Sequence, residues 1–224
     1  MYKHFFKRII DFILSFIALT ILSPILIPVI IGLLLTGEHY VFYFQKRIGY
    51  KNKPFFIWKF ATMLKASPSL AGGLHTTRKD PRILPMGGFL RKTKINELPQ
   101  IVNILKGDMS IIGPRPLVDK TFAPYSDEVK ANIYNVKPGL TGIGSIVFRD
   151  EERLLSETNM DLDEFYAKHI SPYKGELEMW YQKNLSLYTD FMLIFLTAWV
   201  IFSPESDLVY KVFKDLPERP SELK

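Results

Sequence analysis

The residues of this chain that could do chemistry lie close together, in a stretch over positions 91–116 that reads RKTKINELPQIVNILKGDMSIIGPRP. Apolar residues recur there at three- and four-residue spacing, which predicts an amphipathic helix over residues 97–106. Asn96 then takes the N-cap position, and the carboxylate of Glu97 complements the positive end of the helix dipole. Without its neighbours, this pair would be interpreted as helix capping rather than chemistry.

The neighbours of this pair are basic and indicate a bound anion. A helix start offers free N–H groups to phosphate, and four nearby cations can neutralise a diphosphate: Arg91, Lys92, Lys94 and Arg115. Arg115 lies between Pro114 and Pro116, which fix the backbone and so reduce the entropy lost when the guanidinium binds phosphate oxygens. We therefore predict a phosphate site at the start of this helix.

Composition excludes several other kinds of site. The 224 residues include no cysteine, and the four histidines have no HxxxH or HExxH spacing, which argues against thiolate chemistry and zinc. Residues 1–120 carry 18 Lys and Arg against 6 Asp and Glu, whereas residues 121–224 carry 11 against 17. The basic half predicts a phosphorylated substrate or an anionic lipid surface. Nucleic acid is not expected, because no nucleic-acid-binding signature accompanies the charge.

An apolar segment near the N-terminus could enter a membrane in two ways. Residues 12–37 form a run of 26 residues without a charge, long enough as a helix to cross a hydrocarbon core of about 30 Å. A single spanning helix is therefore one interpretation. Against it, Pro24 and Pro28 each remove a backbone donor, which predicts a bend at the Ser23-Pro24 pair.

Charge favours the second interpretation, a re-entrant hairpin. Basic residues precede and follow the segment, so the positive-inside rule places both flanks in the cytoplasm. The halves 12–22 and 25–35 are each about one leaflet deep, and Ser23 is expected to hydrogen-bond a carbonyl that the prolines free. A cleaved signal peptide fits poorly, because Asp11 interrupts the start and the run is too long.

The rest of the chain shows weaker patterns. Residues 39–60 predict a short β-hairpin, and residues 65–82 a loop. The last third is helical, with an apolar run at 191–202 that is too short to span and is expected to be interfacial or buried. The tail after residue 204 is polar and expected to be loosely held. Five aromatic residues of the hairpin region are interpreted as structural: Tyr40, Phe42, Tyr43, Phe44 and Trp58.

Four ordered motifs make the chain resemble the bacterial sugar transferases, and among them the small monotopic phosphoglycosyl transferases. The family motifs DELPQ, KGDMS, GPRP and PGLTG correspond to residues 96–100, 106–110, 113–116 and 138–142. Together with the Ser-Pro pair, the resemblance covers most of residues 1–150 and weakens beyond. Residues 59–63 also match a K-F-R-S-M-like family motif without its Arg, and Arg91 and Arg115 match basic residues of the family's active site. The resemblance therefore implies these substrate-binding residues: Lys59, Arg91, Asp108, Pro114, Arg115 and Pro116.

The resemblance implies a mechanism in which an Asp carboxylate attacks the β-phosphorus of a UDP-sugar. UMP leaves, undecaprenyl phosphate accepts the phosphosugar, and Mg²⁺ offsets the diphosphate charge. Asn96 and Glu97 stand at the catalytic pair, with Glu97 as the predicted metal ligand. The family's nucleophilic Asp is Asn96 here, and an uncharged amide is a very poor nucleophile.

Three interpretations of Asn96 remain open at this point. In the first interpretation the enzyme is active, either with Glu97 in place of the Asp or with direct attack of the lipid phosphate on the nucleotide sugar. In the second, the chain is a catalytically silent, membrane-anchored nucleotide-sugar-binding or scaffold protein. In the third interpretation, Asn96 is an engineered substitution that traps substrate. The chain also departs after PGLTG, where many members read W-x-Q and this one reads Ile143-Gly144-Ser145.

These observations lead to one set of expectations. The fold is predicted to be α+β and mostly helical, with a re-entrant membrane hairpin at 1–37, a catalytic domain at 38–204 and a polar tail at 205–224. The expected partners are a UDP-sugar, undecaprenyl phosphate and membrane lipids, with Mg²⁺ as cofactor. The expected location is the cytoplasmic face of the bacterial inner membrane. A homo-oligomer is left open.

Overall fold

The computed structural model describes residues 2–67, 81–203 and 206–223, and this part of the chain is mostly helical. The helices are α1 Lys7–Leu35, α2 Gly87–Lys92, α3 Gln100–Lys106, α4 Asp119–Phe122, α5 Asp127–Asn132, α6 Ile143–Val147, α7 Glu151–Glu157, α8 Leu162–Phe165, α9 Ser171–Lys183, α10 Leu187–Phe202 and α11 Leu208–Val212. Four short strands form two small sheets: β1 Phe42–Ile48 with β2 Pro54–Phe60, and β3 Ser110–Ile112 with β4 Gly139–Thr141. The predicted loop at 65–82 lies mostly outside the described residues.

The predicted β-hairpin is confirmed. Strands β1 and β2 pair antiparallel from Phe42 opposite Phe60 to Ile48 opposite Pro54. Side chains alternate between the two faces of a strand, and the hairpin uses both faces. The face of β2 that carries Ile57 packs on Ile104 of α3, and Lys59 follows on the same face.

Helix α1 is continuous across both prolines, so the structure shows no separate second helix at the predicted bend. Pro24 lacks the N–H that would bond the Thr20 carbonyl four residues earlier. That carbonyl instead accepts a hydrogen bond from Ser23 Oγ at 2.8 Å, which confirms the role predicted for Ser23. Within the described residues, α1 is the one helix long and apolar enough to cross a membrane.

Polar contacts fasten the start of α1 to the rest of the protein. Lys7 Nζ donates to Asp190 Oδ2 of α10 at 2.5 Å, and both side chains are buried. Arg8 donates to the carbonyls of Ile104 and Leu105 at 2.5 and 2.6 Å. These carbonyls belong to the last turn of α3, where a cation is favoured by the helix dipole.

The second half of α1 packs on the same body through apolar contacts. Leu26, Val29 and Leu33 are buried against Phe60 of β2 and Leu90 of α2. Together with the polar residues of the first half, they form one buried stripe along the helix. The opposite face exposes large apolar side chains: Phe12, Ile13, Phe16, Ile17, Ile21, Ile25, Ile27, Ile31, Leu34 and Leu35. Both halves of α1 therefore lie on one side of the protein.

A second apolar face is provided by α10. Leu193, Leu196 and Val200 are buried in the main core, which also includes residues of α6 and α9. Large side chains on the other face are exposed: Leu187, Tyr188, Phe191, Phe195, Trp199, Ile201 and Phe202. The sequence predicted an interfacial or buried helix at 191–202, and the structure shows a helix that is buried on one face and exposed on the other.

The C-terminal segment differs from the expected loose tail. Val209, Phe213, Leu216 and Leu223 are all buried in the main core. The indole Nε1 of Trp180 also donates to the Asp215 carboxylate at 2.8 Å. Four well-spaced apolar residues are thus enough to hold a segment whose average composition is polar.

The side chain of Asn103 joins α3 to β2. It is fully buried, accepts a hydrogen bond from Trp58 N at 2.9 Å, and donates to Phe56 O at 2.8 Å. These two bonds satisfy backbone groups on the strand that carries Lys59. The position of Lys59 relative to the residues before α3 therefore depends on this amide.

We predict that Asn103→Ala destabilises the protein, because it leaves a backbone donor and an acceptor of β2 unpaired. Each unpaired buried group costs about 1–3 kcal/mol, which corresponds to a fall in melting temperature of several degrees, at roughly 2–4 °C per kcal/mol for this size. Thermal unfolding in detergent measures it. Asn132→Ala is the matched control, because that amide bonds at the surface. Equal melting temperatures for Asn103→Ala and wild type would contradict the proposed brace.

Candidate active site

The chain around Asn96 folds differently from the helix cap that the sequence predicted. Residues Ile95–Glu97 form a 3-10 turn that follows Lys94, which has a left-handed backbone with φ of 61°. The α-helix begins only at Gln100, with Pro99 at the cap position. Because Pro99 has no N–H, it is accommodated where a helix needs none. Asn96 is therefore not the N-cap of α3. Its side chain is buried, and its Oδ1 makes no hydrogen bond.

Glu97 is held between two cations from distant parts of the chain. Its Oε1 accepts a hydrogen bond from Lys59 Nζ at 3.0 Å and another from Arg115 Nη2 at 3.4 Å. The side chains of Lys59 and Glu97 are largely buried, whereas that of Arg115 is 48% exposed. The site therefore has an open side, and Arg115 lies on it.

The charges around Glu97 keep it ionised. Burial alone would raise the pKa of this carboxyl, but the positive charges of Arg115 and Lys59 outweigh burial and lower the pKa to about 2. For Lys59 the balance is opposite, since burial lowers its pKa more than Glu97 raises it. At neutral pH the site thus presents a carboxylate with few exposed atoms and no proton to donate.

Arg47 is a third cation of this site, and sequence reasoning missed it. Its guanidinium donates to the Pro116 carbonyl at 3.1 Å and to Gln45 Oε1 at 2.7 Å, while its buried Nε has no partner. Burial and the nearby charge of Arg115 lower the pKa of Arg47 to about 10. No local signal identifies it, because it lies in β1 among other basic and aromatic residues. With Lys94, whose charge also acts on Glu97, the described part of the site has four cations for one carboxylate.

The backbone that carries Arg115 is fixed from several directions. Gly113 N donates to Thr141 O at 3.0 Å, and Gly139 N donates to Pro114 O at 2.8 Å. The hydroxyl of Tyr134, which is almost fully buried, donates to the Arg115 carbonyl at 2.8 Å. The predicted rigidity of the Pro-Arg-Pro turn thus rests on tertiary hydrogen bonds as well as on the two prolines.

A buried carboxyl lies behind Arg115. Glu178 of α9 is close to the backbone N–H groups of Gly144 and Arg115, and its Oε2 has no hydrogen-bond partner. Burial raises the pKa of Glu178 to about 8, despite the opposing charge of Lys174. Gly144 leaves room for this carboxyl, since a Cβ on residue 144 would come within 2.4 Å of Glu178 Oε1. No pattern in the sequence marked Glu178.

The structure brings together some of the predicted site residues and separates others. Lys59, Glu97 and Arg115 are in direct contact. Arg91 contacts Met63 Sδ at 3.6 Å. Asp108 follows the opposite end of α3, where its carboxylate accepts from Asn103 Nδ2 at 3.3 Å and lies 3.5 Å from Lys106 Nζ. We therefore assign Asp108 to the support of α3 rather than to the contact with Glu97.

We predict that Glu178 makes stability fall as pH rises. Its pKa is raised from the usual 4.5 to about 8 in the folded protein, so the folded state binds a proton more tightly and unfolding releases it within that window. Melting temperatures in detergent from pH 5 to 8 should decline more in wild type than in Glu178→Gln. Glu176→Gln, at an exposed position of the same helix, should keep the wild-type decline. Identical profiles for wild type and Glu178→Gln would exclude a buried neutral carboxyl at this position.

The comparison with known proteins identifies the family of the chain. A family model described as bacterial sugar transferase matches residues 2–204. Among similar proteins, the undecaprenyl-phosphate galactose phosphotransferase of Salmonella typhimurium is 32% identical over 173 residues, 71% of this chain and 33% of that protein. The exopolysaccharide production protein ExoY of Sinorhizobium fredii is 33% identical over 171 residues, 70% of this chain and 68% of that protein.

A third relative is similar over a longer part of the chain. The UDP-glucose:undecaprenyl-phosphate glucose-1-phosphate transferase of Escherichia coli is 31% identical over 195 residues, which are 86% of this chain and 39% of that protein. The chain thus spans about a third of the length of the Salmonella relative and about two thirds of the length of ExoY. With the family model matching nearly the whole chain, this protein belongs to the bacterial sugar transferase family.

Proposed function

We propose that this chain transfers a sugar 1-phosphate from a UDP-sugar to undecaprenyl phosphate, a step that initiates glycoconjugate synthesis. The observation that carries the proposal is the site around Glu97, where Lys59, Arg47 and Arg115 surround one carboxylate. The activities named for the Salmonella and E. coli relatives, which act on undecaprenyl phosphate, support the same reaction.

The charge of the site suits a nucleotide diphosphate. Among the described residues, Lys94 also acts on Glu97, so four cations and one carboxylate leave three positive charges, enough to neutralise the roughly two negative charges of a diphosphate. Lys59 is buried and held by Glu97, whereas Arg115 is half exposed on a rigid turn. We infer that Arg115 meets the diphosphate first, because a planar guanidinium can bind two phosphate oxygens at once.

Two routes transfer the phosphosugar with these groups. In the first, a Glu97 carboxylate oxygen bonds to the β-phosphorus, the bond from that phosphorus to the bridging oxygen breaks, and UMP leaves. A phosphate oxygen of undecaprenyl phosphate then bonds to the same phosphorus, and the carboxylate is released. In the second route a phosphate oxygen of the lipid bonds to the β-phosphorus directly, the bond from that phosphorus to the bridging oxygen breaks, and UMP leaves, while Glu97 only orients Lys59 and Arg115. The Asn96 amide serves as nucleophile in neither route.

The oxygen atoms near Glu97 also fit Mg²⁺. This ion prefers oxygen ligands and commonly takes one or two from protein, with substrate phosphates supplying others. Glu97 offers a carboxylate, and Asn96 offers a buried Oδ1 that has no hydrogen-bond partner. We propose that these two residues hold the ion together with the diphosphate. When bound, it would offset the negative charge of the phosphates.

The packing of α1 supports a monotopic arrangement at the cytoplasmic face of the inner membrane. A helix that crossed the membrane away from the protein would contact it only at one end. Here Lys7 and Arg8 near one end, and Leu33 near the other, all contact the same body. We propose that the exposed apolar faces of α1 and α10 enter one leaflet, and that both ends of α1 remain on the cytoplasmic side, as in a re-entrant element.

Substitutions at residues 96 and 97 test the reaction. We predict that Glu97→Gln abolishes the release of UMP from UDP-sugar in the presence of Mg²⁺ and undecaprenyl phosphate. Asn96→Asp should preserve or raise turnover, because it supplies a carboxylate at the same position. Without lipid acceptor, intact-protein mass spectrometry should detect a phosphosugar adduct on Asn96→Asp. An adduct on wild type that Glu97→Gln loses would establish the covalent route through Glu97.

The controls separate a chemical role from loss of fold. Glu157→Gln removes a carboxylate at an exposed position outside the site and should leave turnover unchanged. Full turnover by Glu97→Gln would show that Glu97 is not essential and that the reaction centre lies elsewhere. If wild type binds UDP-sugar but neither it nor Asn96→Asp releases UMP, the chain is a binding or scaffold protein.

Cysteine labelling tests the topology. The chain has no cysteine, so Lys3→Cys and Lys51→Cys each introduce a single reactive site on either side of α1. We predict that a membrane-impermeant thiol reagent labels both from the cytoplasmic side of inverted vesicles and neither from the outside of intact cells. Asp163→Cys, at an exposed position on α8, provides the cytoplasmic reference. Labelling of the two positions from opposite sides would show that α1 spans the membrane.

A further inference from the structure

A second cationic site lies at the opposite end of α3 from Glu97. It is a cavity of about 150 Å³ where the start of α1 meets the turn before β4. Its lining includes the basic side chains Lys3, Lys7, Arg8 and Lys137. Arg8 bonds to the last turn of α3, whereas Glu97 precedes its first turn. Seven residues of helix, about 10 Å at 1.5 Å per residue, separate the two sites.

Much of the positive charge of this cavity is not neutralised. Lys7 is paired with Asp190, but Arg8 donates to two carbonyls that carry no net charge. In the described part of the chain, Lys137 makes no ion pair; the carboxylates of Asp11, which also lines the cavity, and of Asp108 act on it only from beyond ion-pair distance. Arg8 Nη2 and Lys137 Nζ each come within 3.3 Å of the position that a Cβ on Gly107 would occupy. Two like charges this close favour an anion between or beside them.

A buried hydroxyl and a carboxylate complete the lining of the cavity. Ser110 is fully buried, and its hydroxyl faces the carboxylate of Asp11, which lines the cavity as well. The same carboxylate accepts a hydrogen bond from Ile111 N at 3.0 Å. Asp11 thus has partners of its own, and the basic side chains of the cavity still outnumber it.

The surroundings of the cavity indicate where the anion comes from. The guanidinium of Arg8 lies over the ring of Phe12 at 6.0 Å from the centroid, and Phe12 is half exposed. Phe6 and Ile9 nearby are also exposed. A soluble phosphate would gain nothing from these apolar side chains, whereas the acyl chains of a lipid would cover them.

We propose that this cavity binds the phosphate of an anionic membrane phospholipid, with the acyl chains along the exposed apolar face at the start of α1. The phosphate accepts a hydrogen bond from Lys137 and relieves the repulsion between Lys137 and Arg8. This lipid is distinct from the acceptor lipid, whose phosphate must reach the site of Glu97. Binding of the phospholipid in the cavity holds the start of α1, and with it the end of α3, at the depth of the lipid headgroups.

Lipid binding by the purified full chain tests the proposal. In a nonionic detergent, phosphatidylglycerol is titrated into the protein and bound lipid is counted by native mass spectrometry. We expect Lys137→Gln to weaken binding about tenfold, which equals about 1.4 kcal/mol, and Lys137→Arg to restore most of it. Lys214→Gln removes one charge at an exposed position outside the cavity and should bind like wild type. Phosphatidylcholine, which has no net charge, should bind more weakly than phosphatidylglycerol.

A second variant and a competition experiment make the lipid-binding test decisive. Lys3→Gln, at an exposed position, should weaken binding in the same direction, which covers the case in which Lys137→Gln does not fold. Equal binding by wild type, Lys137→Gln and Lys3→Gln would overturn the site. Displacement of phosphatidylglycerol by an equal concentration of inorganic phosphate would also overturn the proposal, because it would show a site for soluble anions. Transfer activity is not needed for any of these measurements.

Discussion

The arrangement of this protein depends on the two ends of one short helix, α3. Its last carbonyls accept hydrogen bonds from Arg8 of the membrane helix, and Glu97 stands just before its first turn. Between them, Asn103 bonds the helix to the strand that carries Lys59. Hydrogen bonds thus link α1 to α3 and α3 to the strand of Lys59. The membrane element and the candidate site are parts of one hydrogen-bonded unit.

The candidate site holds several charged side chains close together and partly buried, and this burial is unfavourable for each charge. Burial alone opposes the charge on Glu97, on Lys59 and on Arg47. Because one carboxylate faces four cations among the described residues, the cluster retains positive charge that an incoming diphosphate can neutralise. An isolated buried ion pair is weak support for stability, so the cluster is better explained by ligand binding. The protein achieves this with cations from two strands of a hairpin and from a turn more than fifty residues later.

Sequence reasoning predicted local features better than long-range ones. The β-hairpin and the bond from Ser23 to Thr20 follow from residues near one another, and both are confirmed. Glu97, Lys59 and Arg115 were identified through motifs, but motifs carry no information on which side chains meet. The cap predicted at Asn96 was wrong because the left-handed turn at Lys94 and the proline at position 99 delay the helix. The spacing of apolar residues alone does not show that the α-helix begins several residues later than predicted.

Contacts between distant segments were the least predictable. Arg47 and Glu178 complete the surroundings of Arg115, yet each lies in a segment whose own pattern is that of an ordinary strand or helix. The buried segment after residue 206 was missed for a similar reason, since its four core residues are diluted by charged neighbours. Composition describes an average, whereas burial is decided by a few positions.

Gly144 shows how a buried acid and the segment after PGLTG constrain each other. Gly144 takes the variable middle position of the stretch that corresponds to W-x-Q, and the carboxyl of Glu178 fills the space that any side chain at position 144 would need. Glu178 in turn lies against the backbone N–H of Arg115, so the glycine and the buried acid affect the same turn. A larger residue at position 144 would require Glu178 to move. The segment after PGLTG is therefore coupled through α9 to the arginine of the site, although the two are far apart in sequence.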